Sequence, residues 1–236
     1  VTPRLRAVLF DAVGTLIHLR EPVGRSYGRI AHAHGVTLPA DRLDEAFRRI
    51  LPKAPPMAFP GRSTGRVREL ERRWWWSRVR ETFRATDQTA RFADFDAFFD
   101  EVFAWFGSGD AWRAADAAAG TLAALRADGL RLAVASNFDH RLPFVLQDLG
   151  LHRFFDLVWG PAQAGTAKPA PAFFTGLCDV LDVAPEATLH VGDDPDEDAA
   201  GARAAGLRAW IIEPPATLAD LPARLRAEAP GARDDA

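Results

Sequence analysis

Apolar positions come in two periods along this chain, and the switches between them divide it. Near the start, Val8-Leu9-Phe10 is a continuous apolar run closed by Asp11. Such a run predicts a strand buried on both faces of a parallel sheet. The same pattern predicts strands at Leu130–Ala135, Phe155–Trp159, Thr188–Val191 and Arg208–Ile212. Between them lie amphipathic stretches of helical spacing: Ala115–Asp128, Leu142–Leu149, Ala170–Leu181 and Asp196–Ala205. Strands and helices alternating at these lengths imply a parallel sheet with right-handed crossovers.

From 21 to 109 the strand signal vanishes. Helices are predicted at Val23–His34, Pro39–Leu51, Arg66–Arg84 and Phe92–Phe106, with a loop rich in proline and glycine from Pro52 to Gly65. The expected architecture is therefore α/β. A Rossmann-like, doubly wound parallel core occupies 1–20 and 110–236, and a helical cap domain is inserted over 21–109. Residues beyond about Arg226 are polar and expected to fray.

Composition narrows the partners. The 236 residues are 48% hydrophobic, ample for a large core, and the net charge of -3 points away from nucleic acid and anionic membranes. No apolar run spans a bilayer and no leader precedes the first strand, so a cytoplasmic protein is expected, monomeric or a homodimer. One cysteine, Cys178, fits a reducing compartment and reads as a small buried hydrophobe. Lysine occurs only at Lys53 and Lys168 in an arginine-rich chain, so a compact ammonium at either position draws notice.

The chemistry lies at strand ends. Asp11, Ser136-Asn137 and Asp193-Asp194 each follow a predicted strand, and Lys168 precedes the helix before the last of them. In an open α/β sheet these carboxyl ends share one cleft. Asp11 there is a nucleophile, a metal ligand, or the cap of the next segment. Carboxylates from different strands can hold Mg²⁺, a hydroxyl can hold phosphate oxygens, and an ammonium offsets the crowded negative charge. The set suits phosphoryl transfer through an attacking aspartate.

The ordered motifs resemble the haloacid dehalogenase-like (HAD) hydrolase superfamily over nearly the whole chain. They are Asp11-Ala12-Val13-Gly14-Thr15, Ser136 in Ala135-Ser136-Asn137-Phe138-Asp139, Lys168-Pro169, and Gly192-Asp193 with Asp198 downstream. The insert then corresponds to a cap of the C1 type. Pro22-x-Gly24-x-x-Tyr27, His34-Gly35 and Arg73-Trp74-Trp75 are similar to a subgroup called HAD-like hydrolase domain-containing protein three. The resemblance implies a Mg²⁺-dependent phosphatase acting on a small phosphorylated metabolite. It makes Asp11 nucleophile and metal ligand, with the Val13 carbonyl and Asp193 as further ligands supported by Asp194 or Asp198. Thr15, Ser136, Asn137 and Lys168 would bind phosphate.

One position departs from the pattern. Phosphatases of the family carry an aspartate two residues after the nucleophile as general acid and base, and Val13 stands there instead. A placed proton-transfer group contributes roughly 10²–10⁴-fold. The alternatives are a weakly active or non-catalytic fold that binds a phosphorylated ligand or a protein partner, and a metal-independent 2-haloacid dehalogenase. The acidic Gly192-Asp193-Asp194 argues against the dehalogenase. Lys53, in the proline-rich loop, is poorly placed for a Schiff base. His18 and Arg20 follow the catalytic turn and could reach the cleft as a surrogate acid or phosphate clamp. Asp139 is expected to cap the next helix and Asp198 is either a site acid or a first-turn acid. Phe173 and Phe174 are expected in the core. Trp74, Trp75 and Trp76 point in three directions, two into the core and one to a pocket or partner surface. His32 and His34, two apart on a helix, share no face.

Overall fold

The computed structural model describes residues 3–212 and 217–228. The strands in chain order are β1 Ala7–Phe10, β2 Ile17–Leu19, β3 Trp112–Ala114, β4 Arg131–Ala135, β5 Leu157–Trp159, β6 Thr188–Gly192 and β7 Arg208–Ile211. The helices are α1 Val23–Ala33, α2 Ala40–Ile50, α3 Thr64–Thr86, α4 Phe95–Phe106, α5 Ala118–Ala127, α6 Leu142–Asp148, α7 Pro161–Ala164, α8 Pro171–Leu181, α9 Gly201–Ala204 and α10 Leu221–Glu228.

Five strands form a parallel sheet in the order β5-β4-β1-β6-β7. The fold class is thus α/β, as the alternating pattern predicts. The pleat of β1 explains its continuous apolar run. Val8 and Phe10 pack into a cluster with Leu122 and Leu125 of α5 and Val145 and Leu146 of α6. Ala7 and Leu9 face the opposite cluster, with Phe173, Phe174, Leu177 and Cys178 of α8. Helices on both faces leave no polar side to the central strand. With β1 central, Phe10 is in register with Val134 on one side and Val191 on the other. The chain therefore emerges from three adjacent strands at one edge, which brings Asp11, Ser136 and Asp193 to a common rim.

The strands β2 and β3 pair antiparallel as a separate ribbon, with His18 opposite Arg113. Helices α1 to α4 leave and return through it. The sequence pattern missed this ribbon because three residues are too few to show a period. The inserted helices have their own apolar cluster, which includes Tyr27, Leu43, Val79, Phe83, Phe98 and Phe99. The last predicted helix begins instead as a wide π-helical turn, Pro195–Ala200, before α9. The polar tail predicted to fray lies, from 229 onward, outside the described residues. No helix among the described residues is long and apolar enough to cross a membrane.

Candidate active site

Asp11 follows β1 and is buried, with 6% of its surface exposed. Its Oδ1 accepts from the Lys168 ammonium at 2.6 Å. The same ammonium donates to Asp198 Oδ1 at 2.6 Å, so one cation bridges two buried carboxylates. Burial disfavours the Lys168 charge, but Asp11 and Asp198 outweigh it and hold the lysine more firmly protonated than usual. Burial, opposed by Lys168 and reinforced by Asp198, raises the Asp11 carboxyl above its ordinary value.

Lys168 is positioned by Asn137. The Asn137 Oδ1 accepts from the Lys168 backbone N–H at 2.9 Å, and its Nδ2 donates to the Lys168 carbonyl at 3.1 Å and to Glu197 Oε2 at 3.0 Å. The carboxamide expected to bind phosphate is engaged in tethering the lysine segment, whose Lys168-Pro169 peptide is cis.

Asp198, left open between a site acid and a first-turn acid, is buried and hydrogen-bonded through both oxygens. Its Oδ1 accepts from Lys168 and from His190 Nε2 at 2.9 Å, and its Oδ2 from the Asp193 and Asp194 backbone N–H groups, each at 3.1 Å. Burial works against its ionisation, but the His190 hydrogen bond and Lys168 prevail and lower its pKa well below the ordinary value. With every lone-pair direction engaged, Asp198 is a positioning anion that shapes the loop holding Asp193. The close fit explains Gly192, where a Cβ would collide with the Asp198 carboxylate. His190 escaped the sequence reading. Its signal is a lone histidine within an apolar strand, two residues before Gly192.

Asp193 is more open to solvent, and its pKa is raised by burial and by Asp198. Thr15 Oγ1 lies 3.4 Å from Asp193 Oδ1, so this buried threonine, expected to bind phosphate, faces the acid. Gly14 sits at a φ of 93°, and a Cβ there would run into the Asp193 carboxylate. Carboxylate oxygens of Asp11, Asp193 and Asp198 lie within 4.8 Å of one another. An all-oxygen set with more carboxylates than cations, two of them with raised pKa values, fits a hard dication such as Mg²⁺. Asp11 and Asp193 are the carboxylates with capacity left for it. Asp194 accepts instead from the Asp196 and Glu197 N–H groups, each at 2.8 Å, as the cap of the π-helical turn.

These groups form the floor of a cavity of about 640 Å³ between the sheet edge and the inserted helices. Ser136, Asn137, Lys168 and Val13 line it, and Val13 is 40% exposed. Lys53 does not line it, nor do His18 on β2 and Arg20 just after it, so the structure gives none of them a place at the reacting centre. Two of the three successive tryptophans reach the cavity where one was expected to leave the core. Trp74 and Trp75 line it, while Trp76 stacks edge-on against Phe95.

Asp139 is not the N-cap residue of α6, which is Arg141, but its Oδ1 does accept from the Arg141 backbone N–H at 3.0 Å. It is buried and pairs with Arg141 through Nε at 2.8 Å and Nη2 at 2.6 Å, and it accepts from Trp75 Nε1 at 2.7 Å. Beside it, His140 Nδ1 meets buried Glu71 of α3 at 2.5 Å. These contacts fasten the inserted helices to the segment that follows β4.

A family model described as haloacid dehalogenase-like hydrolase matches residues 5–206. Haloacid dehalogenase-like hydrolase domain-containing protein 3 of Bos taurus is 35% identical over 218 residues, 91% of this chain and 84% of that protein. Among solved structures, the Bacillus subtilis HAD-hydrolase YfnB bound to magnesium has a TM-score of 0.67 at 20% identity, covering 92% of each chain. The defluorinating L-2-haloacid dehalogenase Rha0230 has a TM-score of 0.74 at 20% identity, covering 96% of this chain and 100% of that one. The chain belongs to the haloacid dehalogenase-like hydrolase family.

Proposed function

We propose that the chain is a Mg²⁺-dependent phosphatase of small phosphorylated metabolites, working through an aspartyl-phosphate on Asp11. The observation that carries this reading is the Asp11 carboxylate at the cavity floor, anchored through Oδ1 to the Lys168 ammonium with Asp193 beside it. Asp11 Oδ2 attacks phosphorus, the bond from phosphorus to the ester oxygen breaks, and the alcohol departs with a proton from water. Water then attacks the phosphorus of the aspartyl-phosphate, releasing phosphate and restoring the carboxylate. Asp11, Asp193 and the Val13 carbonyl would hold Mg²⁺, which supplies charge neutralisation at the phosphate oxygens. Lys168 holds Asp11 in place and balances its charge, and Ser136 donates to a phosphate oxygen. Residues 21–109 act as the cap that closes over the substrate.

Val13 favours a second reading. Its exposed side chain occupies the wall where the family's acid would stand and carries no proton. On that reading the site binds a phosphorylated ligand and turns it over slowly or not at all. Haloacid dehalogenation shares this fold, and metal dependence separates it from phosphate transfer.

Phosphate release from a panel of phosphoesters, with and without Mg²⁺ and with Asp11→Asn as control, tests the proposal. Mg²⁺-dependent release that the variant abolishes is the expected result. Release equal in protein and variant contradicts it.

A further inference from the structure

The two ends of the cavity differ in chemistry. The floor holds Asp11, Lys168, Asp193, Asp194, Glu197 and Asp198. Among the described residues, every residue of 21–109 that lines the cavity is uncharged, and partly exposed rings dominate the wall: Phe47, Trp74, Trp75, Phe103 and Phe106, with buried Tyr27 and Phe99 behind them. The polar edges of its tryptophans are already satisfied: Trp74 Nε1 donates to the Pro55 carbonyl at 2.9 Å and Trp75 Nε1 to Asp139.

One charged residue, Arg141, reaches this upper part. Its guanidinium is neutralised by Asp139, donates through Nη1 to the Phe103 carbonyl at 2.5 Å, and lies 3.6 Å from the centre of the Phe103 ring. It has no charge to spare for a second phosphate or a carboxylate. A hydroxyl-rich sugar placed against this wall would give up hydrogen bonds to water and find few in return. A small haloacid or a short-chain phosphate would leave most of the 640 Å³ without contacts.

We infer that the cavity selects substrates whose leaving alcohol is bulky, uncharged and apolar, with an aromatic or fused-ring body. This inference rests on the phosphatase reading for its reacting end. The phosphate lies on the floor against Lys168 and Ser136, and the ring body fills the space below Trp74, Trp75 and Phe103. Area buried from water supplies the selection, and ring-on-ring contacts orient the body.

The test compares three Mg²⁺-supported substrates whose leaving phenols are of similar acidity: 2-naphthyl phosphate, phenyl phosphate and O-phosphotyrosine. Intrinsic leaving-group reactivity is thereby held nearly constant while size and charge change. The expected order of kcat/KM is naphthyl, then phenyl, then phosphotyrosine, with about tenfold or more between the first and last. Trp74→Ala is expected to shrink that ratio to within about threefold, chiefly through KM, and Trp74→Phe to restore most of it. Equal kcat/KM values, or a preference for phosphotyrosine, overturn the inference and leave the phosphatase reading standing. Absence of Asp11-dependent release from all three overturns the phosphatase reading instead. The cavity is then judged by 2-naphthylmethylphosphonate, a non-cleavable probe. Saturable quenching of tryptophan fluorescence that weakens in Trp74→Ala supports the inference, and no saturable quenching contradicts it.

Discussion

At the sheet edge, Asp11, Lys168, Asp193 and Asp198 crowd together, tied by short hydrogen bonds to one another and to backbone. Across the cavity, the inserted helices present rings and aliphatic groups with no charge. The floor is held by its ionic groups: Asp198 accepts four hydrogen bonds and shares the Lys168 ammonium with Asp11. The roof is held by packing and by a few polar fasteners at its margin, namely Trp75–Asp139, Arg141–Phe103 and Glu71–His140. The contrast teaches a division of labour. Changes to the floor should alter rate, changes to the roof should alter choice of substrate, and changes to the fasteners should alter stability.

The largest effect is expected from supplying what the floor lacks. Val13→Asp places a carboxyl on the exposed cavity wall. Phosphate release should rise by roughly 10²–10⁴-fold if proton transfer limits turnover. Steady-state kinetics would show it as a gain in kcat, and an unchanged kcat would mean that the site lacks more than an acid.

Lys168→Met comes next. It leaves Asp11 and Asp198 facing each other without their shared cation. Activity should fall by roughly 10²–10³-fold, measured as kcat/KM on the best ester of the panel. A variant that kept its rate would show that the lysine serves the fold alone.

A fastener should behave differently. Asp139→Asn removes the charge that pairs with buried Arg141 and should cost about 3 kcal/mol in denaturant unfolding. Burial works to raise the Asp139 pKa, but the hydrogen bonds and charge of Arg141 prevail and lower it below 3.8. A depressed folded pKa contributes stability that is complete above the unfolded value and is lost as pH falls through the folded one. The gap in stability between protein and variant should therefore be full at pH 7, start to narrow as pH falls past about 3.8, and vanish only once pH is below the depressed folded value. A gap that persisted there would place the cost in packing instead.

Sequence and structure agree where the chemistry is bound to strand ends. Asp11, Ser136 and Asp193 are legible because a parallel sheet brings successive strand termini to one edge, whatever the side chains between them. Lys168 stood out through the scarcity of lysine. The supporting groups were hidden because their roles depend on distant partners. His190 and Glu197 are spelled as ordinary strand and helix residues until Asp198 and Asn137 meet them. Asp139 takes the Arg141 backbone N–H as its place before α6 suggests, but the Arg141 fork and the Trp75 edge that also claim it come from its folded surroundings. The roof was the least legible. Trp74, Trp75 and Trp76 occupy successive directions on one helix, and only the packing of α3 against the core decides which of them face the cavity.

The most direct test of the central claim is chemical trapping at Asp11. With p-nitrophenyl phosphate and Mg²⁺, the leaving group needs no proton, so attack proceeds. The second step lacks a base at Val13, and phosphorylated Asp11 should accumulate. Quenching in borohydride reduces an aspartyl-phosphate to homoserine, which peptide mass spectrometry locates. The account predicts homoserine at position 11 that requires both Mg²⁺ and the ester. Turnover with Asp11 unmodified, or reduction at another carboxylate, would contradict it.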